Sequence, residues 1–339
     1  MATSVGILGA SGFLGAELLR LCAAHHDLEV TLAAADTQAG MEVGELYPSL
    51  AWAYPDVVFA PSEPDLADGL DLVFLALPHG ASQSVVPELR SKVGRVVDLA
   101  ADFRLTDPAA YPAWYGQDHA APELLGQFTY GLPELHRDQI ADADAVAVPG
   151  CYPTAAILAL APLVAGGLVA TDPVIVDAAS GVSGAGRPPK PNTTFCAVDE
   201  DLQAYGLCDH RHTPEMEEAL GASVLFTPHL APMNRGILAT CYARPSGATV
   251  TDAVLGALED AYRDEPFVVV SERSPSTKAT LGSNSAHLTA RHDERTGWVI
   301  SICALDNLVK GGSGQAVQCA NLLLGLEETA GLAGVGLYP

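Results

Sequence analysis

The first 36 residues contain the feature that most limits how this chain can fold. A short apolar strand, Val5–Leu8, leads into the turn Gly-Ala-Ser-Gly-Phe-Leu-Gly at residues 9–15, an amphipathic helix, Glu17–Ala24, and a second strand, Leu28–Ala34. Glycines at this spacing permit a tight turn and let backbone amides approach a pyrophosphate at the helix N-terminus. A purely structural turn is the alternative, but its position between strand and helix favours a dinucleotide site. The unit predicts an α/β fold with a Rossmann-like parallel sheet.

The end of the second strand leaves the type of dinucleotide open. Asp36 at this position would bind the ribose hydroxyls of NAD and repel the 2′-phosphate of NADP. Thr37 and Gln38 could instead bind a phosphate if Asp36 points away, although no arginine follows to favour NADP. The residues alone therefore lean towards NAD. The turn residues predicted to border the cofactor are Gly9, Ser11, Gly12, Phe13 and Leu14.

A third buried strand, Asp71–Leu77, ends in Pro78 and His79 before a helix predicted over Ser82–Ser91. Ligands of parallel α/β sheets bind beyond the carboxyl ends of the strands, so Pro78 and His79 are predicted to border the cofactor. A histidine in a surface loop is the equal alternative for His79.

Arg104 follows a further strand, Arg95–Leu99, and its guanidinium could clamp a phosphate or carboxylate through paired hydrogen bonds. A salt bridge with Asp102 or Asp107 is the competing interpretation. Residues 107–143 are rich in Pro, Tyr and Asp with weak periodicity, which predicts an irregular surface connection.

Cys151 lies between an apolar strand, Ala145–Val148, and a nearly all-apolar run, Ala155–Val164, which predicts a buried helix beginning near Tyr152 or Thr154. The positive end of the helix dipole and the unpaired first-turn amides would favour a thiolate at such a position. An ordinary buried cysteine is the alternative, because cysteine is one of the most frequently buried residue types.

After this helix, a strand at Val174–Ala178 opens into a second Gly/Ser-rich loop at residues 180–187. His210 and His212 follow, on the extended approach to a helix predicted to start at Thr213. The two imidazoles project to the same side, but no further ligand of suitable spacing follows them, so no metal site is predicted.

The rest of the chain has few helices between its strands. Strands are predicted at 223–227, 236–243, 266–270, 286–290 and 297–305, and a last helix over Gln315–Glu328. This pattern indicates an α+β domain with a mixed or antiparallel sheet.

Composition limits the class of protein further. With 339 residues the chain can form two domains, and its formal charge of −24 argues against nucleic acid as a partner. The seven scattered cysteines form no Cys-x-x-Cys pair, which is typical of reduced, intracellular thiols. We expect no signal peptide, because the first residues run directly into a strand, and no membrane span. The predicted location is the cytoplasm.

Five motifs occur in one order along the chain: Gly9-Ala-Ser-Gly-Phe-Leu-Gly, Pro149-Gly-Cys-Tyr-Pro-Thr, Ser180-Gly-Val-Ser-Gly-Ala-Gly-Arg, His210-Arg-His-Thr-Pro-Glu and Lys310-Gly-Gly-Ser-Gly-Gln-Ala-Val-Gln. Through them the chain closely resembles the N-acetyl-γ-glutamyl-phosphate reductases of arginine biosynthesis over essentially its whole length. The resemblance implies NADPH-dependent reduction of N-acetyl-γ-glutamyl phosphate to N-acetylglutamate γ-semialdehyde and phosphate, through a cysteine thioester.

The resemblance also implies a domain organisation. Residues 1–150 would form the NADP(H)-binding domain, completed by residues 314–339. Residues 151–313 would form an α+β catalytic and dimerisation domain, in a homo-oligomer that is a dimer or tetramer.

By the same resemblance, Cys151 is the nucleophile and a histidine of the 210–212 pair is the acid/base. His212 is favoured because it adjoins the helix start, and His210 remains the alternative and a substrate contact. Further roles come by analogy with the wider semialdehyde dehydrogenase group: substrate contacts for Arg104 and Ser180, and cofactor contacts for Ser183, Gly184 and Gln315. Asp36 departs from what an NADP enzyme should show.

Two other functions remain open at this point. A reductase of another acyl phosphate, of aspartyl or aminoadipyl type, would share the fold and mechanism and differ only in its pocket. A non-catalytic dinucleotide-sensing protein would need no reactive thiol at residue 151.

Overall fold

The computed structural model describes residues 2–338, which form two compact units. The first unit runs to Pro149 and resumes over Gly312–Leu332. The second unit comprises Gly150–Gly311 and the residues from Ala333 onwards.

The first unit is built on a six-stranded sheet in the order β2-β1-β3-β4-β6-β5, in which every neighbouring pair is parallel. Its strands are β1 (Thr3–Leu8), β2 (Leu28–Ala34), β3 (Leu72–Leu75), β4 (Arg95–Asp98), β5 (Thr129–Tyr130) and β6 (Ala145–Ala147). The predicted Rossmann-like parallel sheet is confirmed.

Both faces of this sheet are covered, which explains why the central strand β3 is apolar and buried at every position. In β3, Leu72 and Phe74 belong to one hydrophobic cluster, whereas Val73 and Leu75 belong to a second. Successive side chains of a strand point to opposite faces, so one strand contributes to two cores.

Helices of the first unit connect these strands. They are α1 (Phe13–Ala23), α2 (Val43–Leu46), α3 (Ser82–Leu89), α4 (Ala110–Tyr115) and α5 (Pro133–Ala141), with 3-10 helices at Pro48–Leu50, Pro64–Ala67 and Pro122–Gln127. Two predictions were wrong here. Helix α1 begins at Phe13, not Glu17, and residues 107–143 are not irregular, since they contain α4, a 3-10 helix, β5 and α5.

The second unit is built on a seven-stranded sheet in the order β11-β12-β13-β10-β7-β9-β8. Its strands are β7 (Val174–Gly181), β8 (Gln203–Ala204), β9 (Val224–Ala231), β10 (Ile237–Ala243), β11 (Val268–Val270), β12 (Ala286–Asp293) and β13 (Trp298–Leu305). The β7–β9 and β11–β12 pairs are parallel and the other pairs antiparallel, so the predicted α+β unit has a mixed sheet.

The helices of the second unit are α6 (Cys151–Ala165), α7 (Phe195–Val198), α8 (Thr213–Leu220) and α9 (Thr251–Ala261), with a 3-10 helix at Val182–Ala185. Helix α6 is buried along most of its length, as its continuous apolar sequence predicts. It contains Pro162, which has no N–H to bond the Leu158 carbonyl one turn earlier. The Tyr262 hydroxyl donates to that carbonyl at 2.8 Å and replaces the missing helical bond.

The chain returns to the first unit at its end. Helix α10 (Gly314–Leu323) follows a π-helical turn, Val309–Ser313, and packs in the first unit, where Ser313 Oγ donates to the Leu14 carbonyl at 2.8 Å. The predicted helix to Glu328 was too long. Residues from Ala333 group with the second unit, unlike the predicted assignment of 314–339, since the Ala333 carbonyl accepts from Asn284 N at 2.8 Å.

Hydropathy places one limit on the helices. None of those within residues 2–338 combines the length and apolar character needed to cross a bilayer.

Candidate active site

The glycine turn between β1 and α1 is built for close backbone packing. Gly9 has φ +86°, and a Cβ added there would lie 2.3 Å from the Ala76 carbonyl oxygen. A Cβ on Gly15 would lie 2.4 Å from the Gly9 carbonyl oxygen, whereas one on Gly12 would meet only that oxygen, at 3.4 Å. Gly9 and Gly15 therefore make the turn possible, and Gly12 leaves room at the start of α1.

The start of α1 is suited to an anion. Gly12 is the N-cap, no side chain among the described residues caps it, and the first turn has no acidic residue. Phe13 and Leu14 form the first positions of the helix, where amide groups lack helical partners. This arrangement fits a pyrophosphate, which the helix dipole attracts.

Polar groups gather beside the turn at the end of β2. The Gln38 side-chain oxygen accepts from the hydroxyls of Ser11, at 2.8 Å, and Thr37, at 2.7 Å. Asp36 Oδ1 accepts from Ser62 N at 3.1 Å. Asp36 therefore has a backbone partner within the protein.

Pro78 and His79 follow β3, as predicted. Pro78 is exposed, but His79 is partly buried and its Nδ1 lies 2.6 Å from Asp102 Oδ1. Its ring also lies against Tyr115, with 4.3 Å between ring centroids. His79 is thus held by two neighbours, which disfavours the alternative of an unattached surface histidine.

Arg104 lies in the loop after β4. It is partly buried, and its Nη2 donates to the Leu99 carbonyl at 2.8 Å, which orients the guanidinium against its own loop. Gln315, also assigned to the cofactor, is fully buried in the first turn of α10.

Cys151 is the first residue of α6, and Gly150 is its N-cap. The predicted start near Tyr152 or Thr154 was one to three residues late. The Gly150 carbonyl accepts from both the amide and the hydroxyl of Thr154, each at 2.9 Å. Gly150 N in turn donates to the carboxylate of Glu215, at 2.8 Å, and Glu215 is buried. The backbone before the thiol is fixed on both sides.

The backbone of Gly311 also packs against Cys151. A Cβ on Gly311 would lie 2.8 Å from Cys151 Cβ and 3.2 Å from its Cα. Only glycine fits there without displacing the thiol-bearing residue.

The His-Arg-His motif packs against the residue that follows the cysteine. The ring of Tyr152 lies 5.8 Å from the His210 ring and 6.0 Å from the His212 ring. His212 is buried at the N-cap of α8, and its amide donates to His210 Nδ1 at 3.2 Å. Glu215 belongs to the first turn of the same helix. The start of α8 therefore places the histidine pair against the ring of Tyr152 and the Glu215 carboxylate against Gly150 N.

Burial sets the protonation of His210 and of the two tyrosines whose rings contact it. Burial, followed by the charge of Arg211, lowers the pKa of His210 to about 4, so His210 is neutral near pH 7. Burial also raises the pKa of Tyr205 to about 12 and raises that of Tyr152, so both phenols stay protonated. Their hydroxyls lie 3.2 Å apart.

The second Gly/Ser loop begins where β7 ends. Ser180 is buried, and its hydroxyl donates to the Gly181 carbonyl at 3.0 Å. Asn307 donates to Ser183 Oγ at 2.9 Å, and Gly184 is exposed beside Ser180. This polar loop belongs to the same unit as the cysteine and the histidines.

The structure thus gathers the predicted residues in two groups. The first unit contains the glycine turn, Thr37, the loops of His79 and Arg104, and Gln315. The second unit contains Cys151, the histidine pair and the Ser180–Gly184 loop. No group of three or more metal-ligating side chains occurs in the part of the chain from Ala2 to Tyr338.

Sequence reasoning missed Glu215, Gly311 and Tyr205 as parts of this arrangement. Glu215 was visible only as an acidic first-turn residue, and Gly311 only as one glycine of a Gly-rich segment. Their partners are distant in sequence, so the local pattern carried no signal for the contacts.

Two family models match the chain. One, described as the NAD binding domain of semialdehyde dehydrogenase, matches residues 4–143. The other, described as the semialdehyde dehydrogenase dimerisation domain, matches residues 151–307. Together they cover most of both units.

Solved structures agree on the fold. Aspartate semialdehyde dehydrogenase II from Vibrio cholerae superposes with a TM-score of 0.71 at 16% identity, covering 96% of this chain and 98% of that one. A probable aspartate-semialdehyde dehydrogenase from Pseudomonas aeruginosa gives 0.70 at 19% identity, covering 96% and 99%. These identities support a shared fold alone.

Proteins found by sequence comparison share a much higher identity with this chain than the solved structures do. N-acetyl-gamma-glutamyl-phosphate reductase from Acidothermus cellulolyticus is 50% identical over 100% of both chains, and that from Desulforudis audaxviator is 48% identical over 99% of both. The reductase from Magnetococcus marinus is 44% identical over 99% of this chain and 98% of its own. The chain therefore belongs to the N-acetyl-gamma-glutamyl-phosphate reductase family of semialdehyde dehydrogenases.

Proposed function

We propose that the protein reduces N-acetyl-γ-glutamyl phosphate to N-acetylglutamate γ-semialdehyde and phosphate, with NADPH, in arginine biosynthesis. One observation carries the proposal. Cys151 is the first residue of α6, with its neighbour Tyr152 in ring contact with the histidine pair. The full-length identity of 44–50% to relatives of that name supports this substrate over an aspartyl or aminoadipyl phosphate.

The residues present fit a nicotinamide dinucleotide. Gly9, Gly12 and the amides of Phe13 and Leu14 would hold its pyrophosphate, because a Cβ at Gly12 would meet only the Gly9 carbonyl oxygen, at 3.4 Å, and no side chain among the described residues caps the helix start. Further contacts are proposed for Ser11, Thr37, Pro78, His79, Ser183, Gly184 and Gln315.

We favour NADP(H) over NAD(H). Asp36 accepts a hydrogen bond from Ser62 N, which gives this carboxylate a partner other than a ribose. The Ser11 hydroxyl of the glycine turn and the Thr37 hydroxyl after β2, both bonded to the Gln38 side chain, would bind the 2′-phosphate. The position of Asp36 is therefore a weaker argument against NADP than the sequence alone suggests.

The Cys151 thiolate attacks the γ-acyl carbon, and the bond to phosphate breaks, which leaves an acyl thioester. The N-terminus of α6 favours the negative charge on sulfur, and a thiolate divides one difficult step into two easier ones. Arg104 binds the phosphate group of the substrate, and Ser180 orients its acyl chain. Released phosphate takes away the electron pair of the broken bond.

Bound NADPH supplies the hydride that reduces the thioester carbon. His212 donates a proton to the resulting oxyanion and accepts it again when the thiohemiacetal collapses, which releases the aldehyde and the Cys151 thiolate. His210 is disfavoured as proton donor because its pKa is lowered to about 4 and its Nδ1 accepts from His212 N. We assign His210 to substrate contact.

The match to a dimerisation domain supports a homo-oligomer, a dimer or tetramer, as the working form. None of the seven cysteines, all within residues 2–338, is in a disulfide bond, which fits the reducing environment of the cytoplasm.

The direct test is a substrate panel in the reverse direction. Purified protein should reduce NADP⁺ with N-acetylglutamate semialdehyde only when phosphate is present, and at least about tenfold faster than with aspartate semialdehyde or with NAD⁺. A preference for aspartate semialdehyde would move the chain to the other acyl-phosphate reductases. Binding of NADP⁺ without any turnover would favour a sensing protein.

A further inference from the structure

A chain of buried polar groups lies beneath the loops that follow β3 and β4. Ser82 Oγ is 2.8 Å from Asp98 Oδ2 and 2.9 Å from Asp102 Oδ2. All three residues are completely buried. Asp102 continues the chain to His79, whose Nδ1 lies 2.6 Å from Asp102 Oδ1.

Counting protons shows that one carboxyl of this chain is neutral. A serine hydroxyl has one proton, and an ionised carboxylate can only accept. Ser82 can therefore donate to one of the two aspartates, and the other must bring its own proton to make the second contact. Two ionised carboxylates on one hydroxyl would leave a buried contact without a hydrogen and place like charges together.

The surroundings identify Asp98 as the protonated group. Asp102 also accepts from Gly80 N at 2.8 Å and Gln83 N at 3.0 Å, whereas Asp98 has one further donor, Ala100 N, on Oδ1. Burial, followed by the charge of Asp102, raises the pKa of Asp98 to about 8. Burial would also raise the pKa of Asp102, but the bonds from His79, Gly80 and Gln83 lower it instead.

Asp102 connects the two loops. Its carboxylate binds the start of α3 and His79, and its carbonyl accepts from Tyr111 Oη at 2.6 Å and His119 Nε2 at 2.7 Å. Arg104 lies two residues further along the same loop. A displacement of Asp102 would thus move both His79 and the loop of Arg104.

We propose that Asp98 is a positioning residue that works as a neutral acid: it donates to Ser82, Ser82 donates to Asp102, and Asp102 thereby holds the His79 and Arg104 loops in their binding arrangement. When Asp98 loses its proton, the single Ser82 proton can serve only one of the two carboxylates, so one hydrogen bond of the chain is lost and the loops loosen. The charged and titratable groups facing it are Asp102, which opposes this ionisation, Arg104, which favours it, and His79, Tyr111 and His119 around Asp102.

Asp98→Asn is the decisive variant, because an amide copies the protonated acid. Its oxygen can accept from Ala100 N and its nitrogen can donate to Ser82 Oγ. The kinetic readout rests on the proposed function. We expect kcat/KM of Asp98→Asn to stay within about threefold of wild type at pH 7, while the wild-type decline above about pH 8 disappears.

Two further variants are compared with Asp98→Asn: one removes the relay and the other is a control. Ser82→Ala removes the relay and should raise the KM for NADPH or the acyl phosphate at every pH. Asp56→Asn removes an exposed carboxyl in the same unit and should retain the wild-type alkaline decline. An unchanged decline in Asp98→Asn, or its loss in Asp56→Asn as well, would overturn the proposal.

A second readout needs no turnover. Between the ordinary carboxyl pKa and about pH 8, folded protein retains a proton that the unfolded chain has lost, so stability falls as pH rises. The melting temperature of Asp98→Asn should therefore rise relative to wild type between pH 5 and pH 8. A difference that is constant with pH, or that shifts towards wild type between pH 5 and pH 8, would refute a neutral Asp98 even if the assigned substrate were wrong.

Discussion

Gly311 leaves no room for a side chain beside Cys151. Its hypothetical Cβ would approach Cys151 Cβ to 2.8 Å, closer than real Cβ atoms come to their neighbours. The atom it meets is attached directly to the backbone and cannot rotate away. Gly311 therefore determines where the sulfur lies, although it contributes no functional group.

We expect Gly311→Ala to lower kcat/KM by roughly 10–100-fold, because small displacements of a nucleophile have effects of that size. Steady-state kinetics measure this. The matched control is Gly256→Ala in α9, where a Cβ would meet nothing within 4 Å. Unchanged kinetics in Gly311→Ala would mean that the thiol tolerates displacement and that its position is not critical.

The local sequence predicted that Cys151 lies at a helix start, but it did not predict the hydrogen bonds that fix the backbone around the site. The apolar strand, the Pro-Gly turn and the apolar run are neighbours in the chain, so they indicated Cys151 at a helix start. The bond from Gly150 N to Glu215 spans 65 residues, and that from Ser62 N to Asp36 spans 26. Such pairings depend on the tertiary fold and are invisible to periodicity.

At the scale of elements, α6 holds the cysteine on a helix that contains a proline. Pro162 cannot bond the Leu158 carbonyl, which is buried and receives the Tyr262 hydroxyl instead. The helix therefore depends on a residue after α9 to satisfy its backbone. A buried carbonyl without a partner costs free energy comparable to a lost hydrogen bond.

Tyr262→Phe should lower the free energy of unfolding by about 1–2 kcal/mol, because the Leu158 carbonyl loses its donor while the ring stays in place. Denaturant unfolding measures the change. Tyr338→Phe, at an exposed tyrosine, is the control and should have no effect. Equal stabilities for both variants would show that the hydroxyl bond contributes nothing to α6.

Short elements account for the wrong prediction over residues 107–143. Helix α4 has six residues, fewer than an isolated helix needs, so its sequence alone could not indicate it. Tertiary contacts stabilise it, among them the bond from Tyr111 Oη to the Asp102 carbonyl. Helix α9 was predictable, since its buried Val254, Leu255 and Leu258 follow helical spacing, but it was not recognised.

At the scale of the whole molecule, the sequence predicted the parallel sheet of the first unit and the mixed sheet of the second unit. The parallel sheet was predictable because a single β-turn-α-β unit fixes strand direction. The strand order of the mixed sheet was not, since β10 lies between β13 and β7, which are far apart in sequence. Pairings of this kind are set by packing.

The most direct test of catalysis through Cys151 is to isolate its acyl-enzyme. The intact protein is mixed with N-acetyl-γ-glutamyl phosphate without NADPH, quenched in acid and weighed by mass spectrometry, with Cys151→Ser alongside. The predicted result is one N-acetylglutamyl group per chain on the peptide containing Cys151, absent from the variant and removed by adding NADPH before the quench. An acyl group on another residue, or none in a sample that turns over once NADPH is added, would contradict a thioester at Cys151.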